Sequence, residues 1–312
     1  MSTVNENCIG PDNAEAGIAP SCRGCPNATI CANAPKGPDP DIELIKQRLS
    51  GVKHKVLIVS GKGGVGKSTL TKELAFALGK CDLNVGVVDL DICGPSIPRL
   101  TGARGEDAHH SATGIEPVLI DESVTMMSMH YFLENKNDAV LFRGSRKNGV
   151  IKMFLKDVIW SDVDVMLIDT PPGTSDEHIT IASLLQQCGG VSGAVLVTTP
   201  QLVAEADVRR EVNFCEKAKV KVLGIVENMS SFVCPHCGGS SFIFPRTNSR
   251  GAGKRLSEEF GIPLWGEIPL DPQLMNSCEE GVPLGDVAED NSPTLEVLNS
   301  IAARLSRTLV EL

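Results

Sequence analysis

Residues 55–69 read KVLIVSGKGGVGKST, and the fold turns on this stretch. Val56–Val59 form an unbroken apolar run, the composition of a strand buried on both faces. Gly61, Gly66, Lys67 and Ser68 then satisfy the phosphate-loop pattern G-x-x-x-x-G-K-[ST], and the continuation STLTKELAFALGK has the character of a helix. Glycine lets backbone N–H groups come close to phosphate oxygens, and the helix N-terminus adds its partial positive charge. The expected phosphate-binding residues are therefore Gly61, Gly63, Gly64, Val65, Gly66, Lys67, Ser68 and Thr69. Among them the Lys67 ammonium meets the β- and γ-phosphates and the Ser68 hydroxyl meets Mg2+. A second lysine, Lys62, stands five residues before Lys67. Because the lysine position of the loop is already filled, Lys62 falls on the outer side of the phosphates, placed to reach a nucleotide held by another subunit.

Working outward, the apolar runs NVGVVDLD (84–91), VDVMLIDTPP (163–172), GAVLVTTP (193–200), VKVLGIVENMS (220–230) and LWGEIPLD (264–271) are separated by helix-length segments. Such alternation predicts an α/β fold, a parallel twisted sheet flanked by helices. The chain closes on SPTLEVLNSIAARLSRTLVEL, where Leu295, Leu298, Ile301, Leu305 and Leu309 recur at helical spacing, so a helix packed on the sheet is expected there. A Mg-nucleotide site at the switch point of such a sheet needs carboxylates at neighbouring strand ends. VVDLD supplies Asp89 and Asp91, and VMLIDTPPG supplies Asp169 as the residue that orients metal-bound water, with the Gly173 N–H available to the γ-phosphate.

The 312 residues are 42% hydrophobic, enough for one main domain with appendages, and a net charge of -10 disfavours non-specific attraction to nucleic acid or anionic lipid. No apolar run approaches the ~18 residues of a membrane span. The start MSTVNENC has neither the basic and apolar regions of a secretory signal nor the arginines of a transit peptide. A cytoplasmic protein is expected, in which eleven cysteines serve as ligands or buried apolar residues rather than as disulfides.

Residues 1–40 carry Cys8, Cys22, Cys25 and Cys31, spaced C-x13-C-x2-C-x5-C, with little periodicity to build a core, and PKGPDPD (35–41) reads as a linker to a domain over 41–312. Four thiolates in one chain complete a metal site unaided, and metal binding would supply the ordering energy that burial cannot. Spacing alone does not choose between zinc and iron-sulfur. Cys234 and Cys237 in VCPHCGG offer only two ligands. If Lys62 implies a two-fold dimer, the axis brings the same loop from each subunit face to face and completes a four-cysteine site. A shared [4Fe-4S] cluster suits that axis; Zn2+ fits the same thiolates, and a plain thiol pair is the remaining reading. Cys81, Cys93, Cys188, Cys215 and Cys278 are scattered and read as buried or bystander thiols.

The pattern K-G-G-V-G-K-[ST] resembles the deviant Walker A motif of the P-loop NTPase superfamily that includes MinD, ParA, Mrp and the nitrogenase iron protein, in which the signature lysine crosses to the partner's ATP. With the four N-terminal cysteines, DLDICGPSIP, DTPPGTSDEH, ENMSSFVCPHC and IPLDP, the chain from Cys8 to about Asp286 resembles the cytosolic iron-sulfur cluster assembly ATPases of the Mrp/nucleotide-binding-protein group, in their long eukaryotic form. The resemblance implies an ATP-hydrolysing scaffold that assembles [4Fe-4S] clusters and passes them to cytosolic and nuclear apoproteins. It implies a labile cluster at Cys234 and Cys237 and a tightly held one at Cys8, Cys22, Cys25 and Cys31. It also implies Asp91 as the switch residue that positions the attacking water, and Asn228 with Pro269 to Asp271 around the adenine. The partners implied are a second copy or the short paralogue in a heterotetramer, then targeting factors and apoproteins, with no nucleic acid and no membrane, in a cytoplasmic setting that extends to the nucleus. Three rivals share parts of the pattern. A positioning ATPase of the MinD or ParA type needs a membrane helix or a basic DNA-binding face. A nitrogenase-reductase-like electron donor takes its ligands from well-separated loops, and a zinc metallochaperone NTPase fits the same thiols. Asn228 lies six residues before Cys234, so nucleotide and cluster readings meet in one short segment.

Overall fold

The computed structural model describes the chain except residues 1–14, 34–38, 137, 139, 141, 143, 235–236, 247–249 and 290–291. Cys8, His236 and the first part of the PKGPDPD stretch therefore lie outside the described residues. The chain divides into two compact units, Met1–Glu43 and Leu44–Leu312. The first holds a 3-10 turn, Pro20–Cys22, and α1 (Ala28–Asn33). Helix α2 (Asp41–Arg48) begins where that unit ends and is followed by the 3-10 turn Leu49–Gly51.

The second unit runs β1 (His54–Val59), α3 (Lys67–Gly79), β2 (Val85–Asp89), α4 (Ile97–Leu100), the hairpin β3 (His109–Ser111) and β4 (Gly114–Glu116), β5 (Val118–Asp121) and β6 (Val124–Ser128). It continues through α5 (Ser145–Lys156), β7 (Val165–Asp169), α6 (Asp176–Gln187), β8 (Gly193–Thr198), α7 (Leu202–Lys217) and β9 (Val222–Glu227). A small hairpin, β10 (Phe232–Val233) and β11 (Ser240–Ser241), precedes α8 (Ala252–Phe260), β12 (Leu264–Glu267), α9 (Pro272–Glu280), α10 (Leu284–Val287) and α11 (Pro293–Val310).

Eight strands form one sheet in the order β12-β9-β8-β1-β7-β2-β6-β5, parallel throughout except for β5, which runs against β6. Every residue of β2, β7 and β8 is buried, as unbroken apolar runs require when helices flank the sheet. All six runs read from the sequence are strands. Strands β5 and β6 add to them, and their register with each other shifts between Leu119 and Asp121; β12 has a matching shift against β9 between Leu264 and Gly266. The strand order reverses at β1, which lies between β8 and β7, so the loop leaving β1 opens at the switch point where ligands bind in such sheets.

Helix α11 begins as its sequence dictates, with the Ser292 hydroxyl accepting from Leu295 N and Pro293 in the first turn. Leu298, Ile301, Leu305 and Leu309 form its buried stripe. A charged pair also lies inside the core. Lys72 Nζ is 2.8 Å from Glu73 Oε1 and donates to Ser277 Oγ (3.3 Å) and to Val282 O (2.6 Å), while Glu73 accepts from Leu284 N. These bonds pin α3 to the α9–α10 corner. No helix among the described residues is long and apolar enough to cross a membrane.

Candidate functional site

The loop between β1 and α3 turns through Gly64 and Gly66, whose φ values of +78° and +84° belong to glycine. A Cβ on Gly66 would stand 2.1 Å from Asn228 Nδ2, so the close approach there also requires its absence. Lys67 opens α3 and is buried. Its Nζ lies 2.7 Å from Asp169 Oδ2, the same oxygen that accepts from Ser68 Oγ at 2.7 Å. Thr71 Oγ1 donates to the other oxygen, Oδ1, at 2.6 Å. Asp169 thus ties the first turn of α3 to the end of β7. Thr71 was not among the residues expected here, although a hydroxyl one helical turn beyond Lys67 was its signal. Lys62 is exposed, with no carboxylate partner among the described residues. The Gly173 N–H donates to Ser60 O at 2.8 Å, tying the β7–α6 loop to the end of β1.

Asp89 is paired in register with Asp169 on the adjoining strand. Burial, reinforced by the charge of Asp169, pushes the Asp89 carboxyl up to about 8, against the opposing pull of Lys67 and a hydrogen bond from Ser128 Oγ. Asp91 is half-buried, and burial raises it too, with Lys67 again opposing. Lys147 on α5 pairs with Glu177 on α6 at 2.5 Å and favours the ionised form of Asp91. His178, in a capping box with Ser175 at the start of α6, is lowered to about 4 by burial. The donors around the loop are hard oxygens, which suit Mg2+. A divalent cation beside Asp169 would also relieve the repulsion that raises Asp89. Ser68 Oγ and one Asp169 oxygen are the protein atoms that would hold the cation.

Asn228 leaves β9 beside the loop. Its Nδ2 donates to Val65 O at 2.9 Å and its backbone N–H to Thr198 O at 2.8 Å. Pro269 and Asp271 line a cavity of about 160 Å³ together with Val233 and Thr294, and Asp271 caps α9 through Gln273 N. Asn228 faces the phosphate loop and is not part of that lining. Cys234 and Cys237 sit in the turn of the β10–β11 hairpin, which Cys234 N to Gly239 O (3.0 Å) and Gly238 N to Cys234 O (2.9 Å) close. Cys237 is exposed and Cys234 partly so. In the first unit Cys22, Cys25 and Cys31 are partly exposed, Cys22 Sγ accepts from Gly17 N at 3.3 Å, and Cys25 N donates to Cys22 O. Among the described residues no three or more His, Cys, Asp or Glu side chains gather as a metal cage. Cys188, Cys215 and Cys278 are buried, Cys81 and Cys93 exposed.

A glycine loop on a helix N-terminus, a lysine and a serine meeting on one buried acid, and a second acid on the next strand are the parts of a nucleotide hydrolase. The family described as NUBPL iron-transfer P-loop NTPase, of the ParA group, matches residues 51–306. The chain belongs to this family. Among solved structures, the nucleotide-binding protein of Archaeoglobus fulgidus in complex with ADP, with cobalt, is 35% identical, over 82% of this chain and 95% of its own, with a TM-score of 0.67. The cell division ATPase MinD of Pyrococcus furiosus is 24% identical over 82% of this chain and 99% of its own, with a TM-score of 0.57, a likeness of fold. As a member of this P-loop NTPase family, the chain has the architecture of an ATPase that binds nucleotide and Mg2+.

Proposed function

We propose that the chain is an ATP-hydrolysing scaffold on which [4Fe-4S] clusters are assembled and from which they pass to cytosolic and nuclear apoproteins. One observation carries this reading: a single segment runs from Asn228, which holds the phosphate loop at Val65 O, to Cys234, one half of an outward-facing thiol pair. Thiolates are soft donors suited to iron and sulfide cargo, and two such pairs across a two-fold axis supply four ligands. The working species is a homodimer or a heterotetramer with the short paralogue. Cys8, Cys22, Cys25 and Cys31 serve a second, more tightly held cluster, and the setting is cytoplasmic.

Within each site Lys67 exchanges Asp169 for phosphate charge, and Ser68 and Asp169 would hold Mg2+, which would supply positive charge to neutralise the phosphates. Asp91 accepts a hydrogen bond from the attacking water and orients it. The Gly173 N–H exchanges Ser60 O for a phosphate oxygen, which gives the β7–α6 loop a contact that hydrolysis removes. Pro269 and Asp271 flank the adenine, and Lys62 reaches the partner's nucleotide. Anaerobic purification followed by iron, acid-labile sulfide and zinc analysis tests the cargo. Iron and sulfide in near-equal amounts, reduced in Cys234→Ser and Cys237→Ser, are expected; zinc without sulfide in the unaltered chain would sink the reading.

A further inference from the structure

The β10–β11 hairpin has two residues in each strand, and Ser240 and Ser241 are exposed. A hairpin of that size has no stability of its own in water, so what holds it decides where Cys234 and Cys237 stand. On the entry side Leu270 N donates to Ser231 O at 2.6 Å, and Phe232 bridges Leu270. On the exit side the anchor is one side chain. Arg246 Nη2 lies 3.0 Å from Ser230 O, 3.1 Å from Glu267 Oε1 and 3.5 Å from Glu227 Oε1, and its guanidinium covers the Phe242 ring at 4.1 Å. Glu227 is wholly buried at the end of β9 and accepts from Gly253 N at 2.7 Å; a Cβ on Gly251 would stand 2.1 Å from its Oε1. Burial raises the Glu227 carboxyl, against which the charges of Arg246 and Arg255 favour its ionised form, and Arg246 is the one in ion-pair contact with it.

Arg246 therefore returns from beyond the hairpin to the two residues that flank the Asn228–Met229 step, Glu227 and Ser230. Met229 is held at φ +56°, a conformation costly for methionine, so the step is tightly specified. Asn228 in turn holds Val65 O. The three acceptors crowd one nitrogen of the guanidinium while the buried Nε has no hydrogen-bond partner among the described residues. We infer that Arg246 is the positioning residue that couples occupancy of the phosphate loop to the placement of the Cys234/Cys237 hairpin, an inference that rests on reading those thiols as the cargo site.

The test uses the full metal-free chain, alkylation of Cys234 and Cys237 by iodoacetamide read peptide by peptide, and Mg-ADP as the probe. In the unaltered chain Mg-ADP should change the alkylation rate at both thiols. Arg246→Met should raise the rate without nucleotide roughly tenfold, as the loss of charge-assisted bonds makes local opening more frequent. It should also erase the Mg-ADP effect while leaving Mg-ADP affinity, measured by calorimetry, unchanged. Arg246→Lys, which keeps a cation, should restore part of the response; a purely structural role would leave the Met and Lys variants alike. If Arg246→Met does not fold, Glu267→Ala removes an exposed acceptor of Arg246 and is read the same way. An unchanged Mg-ADP effect in these variants overturns the coupling through Arg246, and no Mg-ADP effect in the unaltered chain overturns it as well. The cargo reading fails separately, on the iron and sulfide analysis.

Discussion

Asp169, fully buried, accepts from Ser68 and Thr71 and pairs with Lys67, so the charges there are set by one another more than by solvent. Lys67→Ala removes the cation from Asp169 and from the phosphates together, and titration calorimetry should detect no nucleotide binding. Asp91 is half-buried and stands outside those bonds. Asp91→Ala should therefore keep nucleotide affinity and abolish turnover; hydrolysis at the parental rate in that variant would remove Asp91 from the mechanism. Away from the site, Glu211 on α7 is raised by burial, then by Asp207, from 4.5 to about 7, and one of its oxygens has no hydrogen-bond partner among the described residues. Because its folded value is the higher one, the stabilisation it contributes is complete below pH 4.5, fades as pH rises, and is gone above about 7. The swing is ~3 kcal/mol. Glu211→Gln should thus gain on the parent as pH rises from 5 to 8 in denaturant melts, and an equal difference at both ends would refute the assignment.

Elements announced themselves in the sequence to the degree that both their faces are covered. β1, β2, β7, β8 and β9 are near-continuous apolar runs because, past the first residues of β1 and β9, nothing in them meets water, and the phosphate loop was legible because its residues are neighbours in the chain. β5 was not: only one of the four residues of VLID is buried, as suits the wet margin of a sheet, and the acids of LIDESV just before β6 break the run that would have marked β6, four of whose five residues are buried. Asp89 and Asp169 could be named from their strand ends, whereas the one local mark of Thr71, a hydroxyl one helical turn beyond Lys67, does not say that it reaches Asp169. Arg246 and Glu227, 19 residues apart, and Lys72 and Ser277, 205 apart, find each other only through the fold. The second pair gives a test of how α3 is held. Lys72→Met leaves Glu73 buried without its cation, at an expected cost of ~3–5 kcal/mol in denaturant unfolding. Adding Glu73→Gln, which keeps an acceptor for Leu284 N, should recover a large part of that loss. A double variant as unstable as the sum of its parts would show that the pair is not a unit.

For the molecule as a whole the decisive residue is Lys62, exposed and without a carboxylate partner among the described residues. If it completes a site in trans, Lys62→Ala and Asp91→Ala chains, each inactive alone, should regain hydrolysis when mixed. One site of the mixed pair then collects both defects and the other has none. Mixed chains that stay inactive would place Lys62 in its own subunit's site. A protein whose proposed work brings copies together must also prevent them from joining wrongly, and the margins of its sheet bear on that. Each outermost strand slips register against its neighbour, at Leu119–Asp121 and at Leu264–Gly266, and β5 ends in Asp121, followed by Glu122. A bent, acid-tipped border offers no straight row of main-chain groups for a stranger to zip onto. Fibre growth by strand templating is thereby discouraged at both rims, even with the hydrophobic Leu119 left 66% exposed on one of them.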